Sequence, residues 1–103
     1  MTPLTNGRIR HSVVFSLTHS EGSAEEADFL DAIARLEAIP GVEEFELMRE
    51  VSPKNGYRFG LTMEFADPTA YMSYNAHPEH VEFVESRWDV EITDFQEIDT
   101  TAL

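Results

Sequence analysis

The 103-residue chain contains no cysteine, which excludes disulfides, thiol nucleophiles and thiolate metal sites together. It carries only 7 basic side chains against 20 acidic ones, a formal net charge of -13. Because this charge repels phosphate backbones and anionic lipids, we expect neither a nucleic acid nor a membrane as a partner. No apolar run is long enough for a signal peptide or a bilayer span. We therefore expect a cytoplasmic protein.

What the chain does contain is typical of one globular domain covering residues 1–103, with 42% hydrophobic and 26% charged residues. The stretch "RIRHSVVFSL" alternates, which predicts a first strand with His11 on its apolar face. Ser23 and Glu26 form a capping pattern that opens a helix, and "IPG" ends it. A second strand follows, in which Val51 is expected on the apolar side together with Arg49.

The second half of the chain repeats this alternation of strands and helices. The turn "SPKNG" predicts a hairpin into a third strand, "YRFGLTMEF". Asp67 and Pro68 indicate the start of a helix, and a break at "NAHP" separates it from another helix. The apolar stripe of that helix is predicted from three residues, Val81, Val84 and Trp88. A last strand is expected over about Ile92 to Ile98.

The resulting order, β-α-β-β-α-β, predicts an α+β fold of the ferredoxin-like kind, with helices on one face of an antiparallel sheet. The other face then needs a cover, because residues such as Val14 and Met48 point toward it. Pairing with the sheet of a second copy would cover them. We therefore expect a homodimer.

The stretch "YNAHPEHVEF" holds the candidate catalytic residues. On the helix that follows the proline, His80 is expected on the same side as Val81, Val84 and Trp88, so its imidazole is predicted to point inward. With an ordinary pKa of about 6.5, an imidazole takes up and returns protons near neutral pH. Tyr74 could donate its phenolic proton to an oxyanion, and His11 could line the same cavity.

Each of these residues also has a structural interpretation, which the sequence leaves open. His80 could hydrogen-bond a backbone carbonyl as part of a satisfied core. His77 precedes a proline and is predicted to cap the helix. "HPEH" lacks the H-E-x-x-H pattern and a third ligand, so we predict no metal site. For Arg49 we favour a salt bridge over binding of a substrate carboxylate.

Three stretches, "RHSVVFSL", "IPGVEEFELMREVSPKNGYRFGLTMEF" and "YNAHPEHVEFV", resemble the stress-responsive A/B barrel domain family, or Dabb. The likeness runs from about Arg10 to Asp99. It implies a dimeric α+β barrel built from two ferredoxin-like halves, each with a cavity between its sheet and its helices.

The resemblance also implies roles for particular residues. A few plant members are polyketide cyclases in which the second His of an H-P-x-H segment and a Tyr shortly before it carry an aldol condensation, and those positions are His80 and Tyr74 here. The cyclase-like relatives have a His two residues after "GY", where this chain has Phe59. We therefore expect His80 and Tyr74 to be catalytic and His11, Phe59 and Trp88 to contact a ligand.

Two functions follow as hypotheses. The first is an acid-base enzyme of the cyclase or lyase type, without a cofactor, acting on a small and perhaps polyketide-like molecule. The second is a noncatalytic homodimer that binds a small apolar or aromatic ligand or serves as a stress-related structural module. The sequence does not decide whether the protein is an enzyme.

Overall fold

The computed structural model describes residues 4–103 of the chain. Its strands are β1 (Ile9–Leu17), β2 (Glu43–Arg49), β3 (Phe59–Phe65) and β4 (Ile92–Thr100). Its helices are α1 (Ala24–Ala34), extended by a 3-10 turn (Arg35–Ala38), then α2 (Pro68–Ala76), α3 (Pro78–Phe83), a π-helical turn (Val84–Trp88) and the short α4 (Asp89–Glu91).

The four strands form one antiparallel sheet in the order β2-β3-β1-β4. This order places the first strand at the centre, paired with the third and the last, as in ferredoxin-like proteins. The helices pack on one face of the sheet, which we call the inner face. The predicted fold class is confirmed.

Strand β1 alternates between the two faces as its sequence predicts. Val13, Phe15 and Leu17 are buried on the inner face, with His11 beside them. Phe15 is in ring contact with Phe29 of α1 at a centroid distance of 6.1 Å. Burial of these large side chains supplies most of the driving force for folding, at about 25 cal/mol for each Å² of apolar surface removed from water.

The outer face of the sheet carries fewer and smaller apolar groups. Val14 and Met48 both pair with Gly60 in the neighbouring strand. The methyl group Cε of Met48 and Cγ1 of Val14 lie 3.8 and 3.9 Å from where a Cβ on Gly60 would stand, so both side chains are on this face. Met48 and Ile98 remain 38% and 48% exposed. The prediction that apolar residues point away from the helices is confirmed.

Three predicted positions differ in the structure. Val51 is 82% exposed, because β2 ends at Arg49 and the chain has already entered the turn. Strand β3 begins at Phe59, so Tyr57 precedes it. Val81 is 39% exposed while Phe83 is buried. Residues two positions apart on a helix are rotated by about 200° from each other, so Val81 faces away from the core when Phe83 faces it.

The predicted helix caps are confirmed. The Asp67 carboxylate accepts a hydrogen bond from the Ala70 amide at 2.8 Å, with Pro68 as the first helical residue. Nδ1 of His77 accepts one from the Glu79 amide at 3.1 Å, and so His77 starts α3. The chain therefore turns sharply between α2 and α3, and this turn brings residues of the two helices together.

Candidate active site

A cavity of about 270 Å³ lies between the inner face of the sheet and the helices. Most of its wall is apolar and includes Leu61, Phe83, Trp88 and Phe95. The polar residues that line it are His11, Tyr74, Asn75, His80, Asp89 and Glu97. Ligand sites usually combine an apolar wall with a few convergent polar groups in this way.

The rings of Tyr74 and His80 are in contact within the cavity wall. Their ring centroids are 4.4 Å apart and their planes are inclined by 51°. Tyr74 comes from α2 and His80 from α3, so the break at His77 is what sets the two rings against each other. Tyr74 is also packed against Phe65 of β3, at 5.1 Å, which fixes the position of its ring.

The imidazole of His80 is held through one nitrogen. Its Nδ1 lies 3.1 Å from the carbonyl oxygen of Asn75. Because a carbonyl only accepts, Nδ1 carries the hydrogen, and in the neutral ring Nε2 is left with its lone pair. Burial lowers the pKa of His80 below its ordinary value of 6.5, while the bond to Asn75 partly opposes this shift. The ring is therefore an uncharged base at neutral pH.

The hydroxyl of Tyr74 is available to a ligand, although the residue as a whole is only 2% exposed. It makes no hydrogen bond to any residue in the range 4–103, and no side-chain polar atom in that range is both buried and unpaired. The hydroxyl oxygen must therefore reach open space, and that space is the cavity. Burial raises the pKa of Tyr74 above its ordinary value of 10.0. The phenol stays protonated and can act as a donor.

His11 takes part in a second polar cluster on the cavity wall. Its Nδ1 lies 2.6 Å from Oδ1 of Asp99, and the hydroxyl of Tyr71 donates to Oδ2 of Asp99 at 2.9 Å. The same hydroxyl lies 3.0 Å from Nδ1 of His11. Because the carboxylate only accepts, both the imidazole and the phenol donate to it. His11 thus also leaves its Nε2 without a protein partner among residues 4–103.

Of the five expected site residues, the structure places His80, Tyr74, His11 and Trp88 around the cavity. Phe59 does not line it, and its expected contact with a ligand stays a prediction. Phe59 is 3% exposed and packs against Phe15, at 5.7 Å, beneath the guanidinium of Arg49, at 5.3 Å. The cross-strand pairing of Phe59 with Phe15 places it in the closed part of the core.

Sequence reasoning missed the contribution of β4. Phe95 and Glu97 line the cavity, and Asp99 anchors His11. These three residues alternate in "DFQEID", and their register partners on β1 are all inner-face residues. An alternation of one ring and two acids resembles a solvated edge strand, so the acids gave no signal of a site. Only the pairing of Asp99 with His11 across β4 and β1 reveals that β4 contributes to the site.

Two further observations concern residues 4–103. No group of three His, Cys, Asp or Glu side chains there is arranged to hold a metal ion. None of the helices in that range combines the length and apolar character needed to cross a membrane. The cytoplasmic location stays a prediction.

The fold and the cavity define a small ferredoxin-like protein with two imidazoles and a phenol between its sheet and its helices. The family model of the Stress responsive A/B Barrel Domain, Dabb, matches residues 9–102. The chain belongs to this family, and the resemblance inferred from its sequence is confirmed.

Solved structures agree with this assignment. A Dabb-family protein with a ferredoxin-like fold from Mesorhizobium loti is 54% identical, covering 95% of this chain and 99% of that one, with a TM-score of 0.92. The hydroxynitrile lyase of Passiflora edulis is 16% identical over 93% of this chain and 94% of that one, with a TM-score of 0.78.

A dimeric ferredoxin-like protein of unknown function from Thermobifida fusca is also 16% identical, over 95% and 93% of the two chains, with a TM-score of 0.77. At this identity the last two structures show the fold alone. No curated protein matches the chain.

Proposed function

We propose that the protein is a cofactor-free enzyme of the lyase or cyclase type that uses general acid-base catalysis in its cavity. The observation that carries the proposal is the pairing of Tyr74 and His80 at 4.4 Å within the cavity wall. One group is a neutral base with a free Nε2, and the other is a protonated donor with a free hydroxyl. A base and an acid held side by side are what proton transfer to and from a bound molecule requires.

The proposed chemistry uses the two groups in sequence. Nε2 of His80 removes a proton from a carbon beside a carbonyl, and the electron pair moves onto the carbonyl oxygen. The hydroxyl of Tyr74 donates a hydrogen bond to that oxygen while its negative charge develops. His80 then returns the proton to the product. In a lyase the same base would take a hydroxyl proton instead. The oxygen would form a carbonyl as the adjacent carbon-carbon bond breaks, and the departing carbon would leave with the electron pair of that bond and be protonated by His80.

The size and walls of the cavity limit the ligand. At about 270 Å³, the cavity is smaller than the typical range of about 300 to 1,000 Å³ for drug-sized ligands. Trp88 and Phe95, in edge-to-face contact at a centroid distance of 5.4 Å, provide aromatic surface at the cavity wall for a flat ligand. A compact aryl ketone or alcohol fits this space, and a polyketide-like ligand would have to be short.

We further propose that the protein is a homodimer formed through the outer face of the sheet. Apolar surface on that face is provided by Met48 and Ile98, which are exposed, and by Val14 of β1. A second copy would bury this surface. The dimeric protein from Thermobifida fusca has the same fold, which supports this arrangement. The lyase from Passiflora edulis supports including carbon-carbon lyase reactions in a substrate screen.

The test is exchange of the methyl protons of acetophenone in D₂O, followed by proton NMR. Removal of one such proton requires only a base and a donor for the carbonyl, so the assay needs no knowledge of the natural substrate. We expect exchange above the buffer rate, lost by about 100-fold or more in His80→Gln. Glutamine can still donate to the Asn75 carbonyl, so this variant keeps the fold while removing the base.

The matched control is Glu37→Gln, a substitution at an exposed position of the 3-10 turn, outside the cavity wall. It should exchange at the wild-type rate. If acetophenone binds in the cavity and yet exchanges no faster than in His80→Gln, the enzyme proposal is wrong. The noncatalytic ligand-binding module would then be the better description.

A further inference from the structure

The charges around the cavity are all of one sign. The carboxyl residues Asp89 and Glu97 line it, and both are exposed. Asp99 lies next to the cavity behind His11. A ligand that enters therefore meets two or three carboxylates.

No lysine or arginine balances these carboxylates at the cavity. The chain has 7 such residues, and all of them lie within residues 4–103 and outside the cavity wall. Three of them stand next to a cavity residue in the sequence: Arg10, Arg35 and Arg87. Arg87 bonds to Glu91 and Asp28, Nη2 of Arg10 lies 3.5 Å from Oε2 of Glu64, and Arg35 is exposed on the 3-10 turn. Salt bridges of this kind keep the guanidinium groups away from a ligand.

The histidines do not supply the missing positive charge either. His11 is already paired with the carboxylate of Asp99 at 2.6 Å, so the pair as a whole offers no excess cation. Burial lowers the pKa of His80, which leaves that ring uncharged at neutral pH. A carboxylate placed in the cavity would lose its water and gain no counter-ion.

We propose that the cavity selects an uncharged, ring-bearing ligand with a carbonyl or hydroxyl group and rejects the carboxylate of the same shape. This inference rests on the proposed use of the cavity as the ligand site. The phenol of Tyr74 and the two imidazole Nε2 atoms satisfy a neutral carbonyl or hydroxyl, while Glu97 repels an anion. Acidic polyketide intermediates are thereby disfavoured, and neutral aryl ketones and alcohols are favoured.

The single tryptophan makes the inference testable. Trp88 lines the cavity and is the chain's only tryptophan, so one indole Nε1-H signal in a ¹H-¹⁵N correlation spectrum reports occupancy. Benzamide and benzoate have the same planar shape and differ in charge near neutral pH. We expect benzamide to shift the signal and saturate, with a Kd at least about 10-fold lower than that of benzoate.

Two variants assign the discrimination to the cavity. Glu97→Gln should strengthen benzoate binding relative to benzamide binding by at least about 3-fold, because one repelling charge at the wall is removed. Glu37→Gln removes the same charge from an exposed position outside the cavity and should leave both affinities unchanged. Equal effects of the two variants would indicate a net-charge effect and overturn the inference.

Equal affinity for benzoate and benzamide, or no shift with either, would also overturn the inference. The enzyme proposal is decided separately by acetophenone exchange. Selective binding of benzamide without exchange would refute the enzyme and keep the inference on ligand charge. Exchange together with equal binding of both probes would keep the enzyme and refute the inference.

Discussion

Asp99 and His11 are directly paired across β4 and β1, and the carboxylate Oδ1 lies 2.6 Å from Nδ1 of the imidazole. Residues opposite each other on neighbouring strands share a face of the sheet, so this pair lies on the cavity side. The carboxylate can only accept, which places the hydrogen of the neutral imidazole on Nδ1. Tyr71 donates to the other oxygen of Asp99 and fixes the carboxylate.

The first prediction concerns this pair. Asp99→Ala removes the acceptor, so the neutral ring of His11 should lose its preference for the Nδ1-H tautomer and populate the Nε2-H form. Long-range ¹H-¹⁵N correlation spectra of histidine-labelled protein measure the two forms. His80 should be unchanged, because its tautomer depends on the Asn75 carbonyl. An unaltered His11 spectrum would show that Asp99 does not set the tautomer.

The second prediction concerns pH. Because burial holds the pKa of His80 below 6.5, the base stays deprotonated until the pH falls beneath that value. The rate of acetophenone proton exchange should therefore fall as the pH is lowered, with a midpoint below pH 6.5. The unfolded chain binds this proton more readily than the folded protein, so the free energy of unfolding should also decrease as pH falls through 6.5. A midpoint above 6.5 would contradict the assignment.

The third prediction concerns the link between α4 and the preceding turn. The Glu91 carboxylate accepts from Nε of Arg87 at 2.5 Å and from Nε2 of His19 at 2.6 Å. Glu91→Gln should lower the free energy of unfolding by about 1 to 3 kcal/mol, since two charge-assisted bonds are weakened. Glu85→Gln, at an exposed position of the π-helical turn, is the control. Denaturant unfolding measures both.

The pH dependence of that contribution has a defined sign. The hydrogen bond from Arg87, followed by that from His19, lowers the pKa of Glu91 below its ordinary value of 4.5. The stabilisation is therefore complete above about pH 4.5 and is lost as the pH falls through the lower, folded-state pKa. The difference in the free energy of unfolding between wild type and Glu91→Gln should become smaller in acid. A difference that does not change with pH would argue against the ionic bonds.

The fourth prediction tests the dimer. Met48→Lys places a charge on the outer face of the sheet, where a second copy is proposed to pack. Sedimentation velocity should show a dimer for the wild type and a shift toward monomer for the variant. Val51→Lys, at a position that is 82% exposed beyond the end of β2, should remain dimeric. A monomeric wild type would refute the proposed assembly.

Much of the fold could be predicted from local chemistry. The alternation in β1, the caps at Asp67 and His77, and the turn after β2 each follow from side-chain and backbone preferences that act over a few residues. Errors arose where an element ended. Val51 continues the apolar alternation of β2, but the strand stops before it because the chain must turn back to pair with β3.

The candidate site was predictable only in part. His80 and Tyr74 are close in sequence, and the helix break predicted at "NAHP" accounts for their contact. Phe59 could not be excluded from the cavity, because alternation gives a residue's face and not its position along the sheet. Asp99 and Glu97 depend on the register between β1 and β4, more than 80 residues apart in the case of His11 and Asp99.

We propose that His80 and Tyr74 act together on a molecule bound between them. A crystal structure of the protein with acetophenone tests this arrangement. We expect the ketone against Trp88, with its carbonyl oxygen within about 3.2 Å of the Tyr74 hydroxyl and its methyl carbon within about 3.5 Å of Nε2 of His80. A ketone whose carbonyl points away from Tyr74, or a cavity that no ketone enters, would refute the joint action of the two residues.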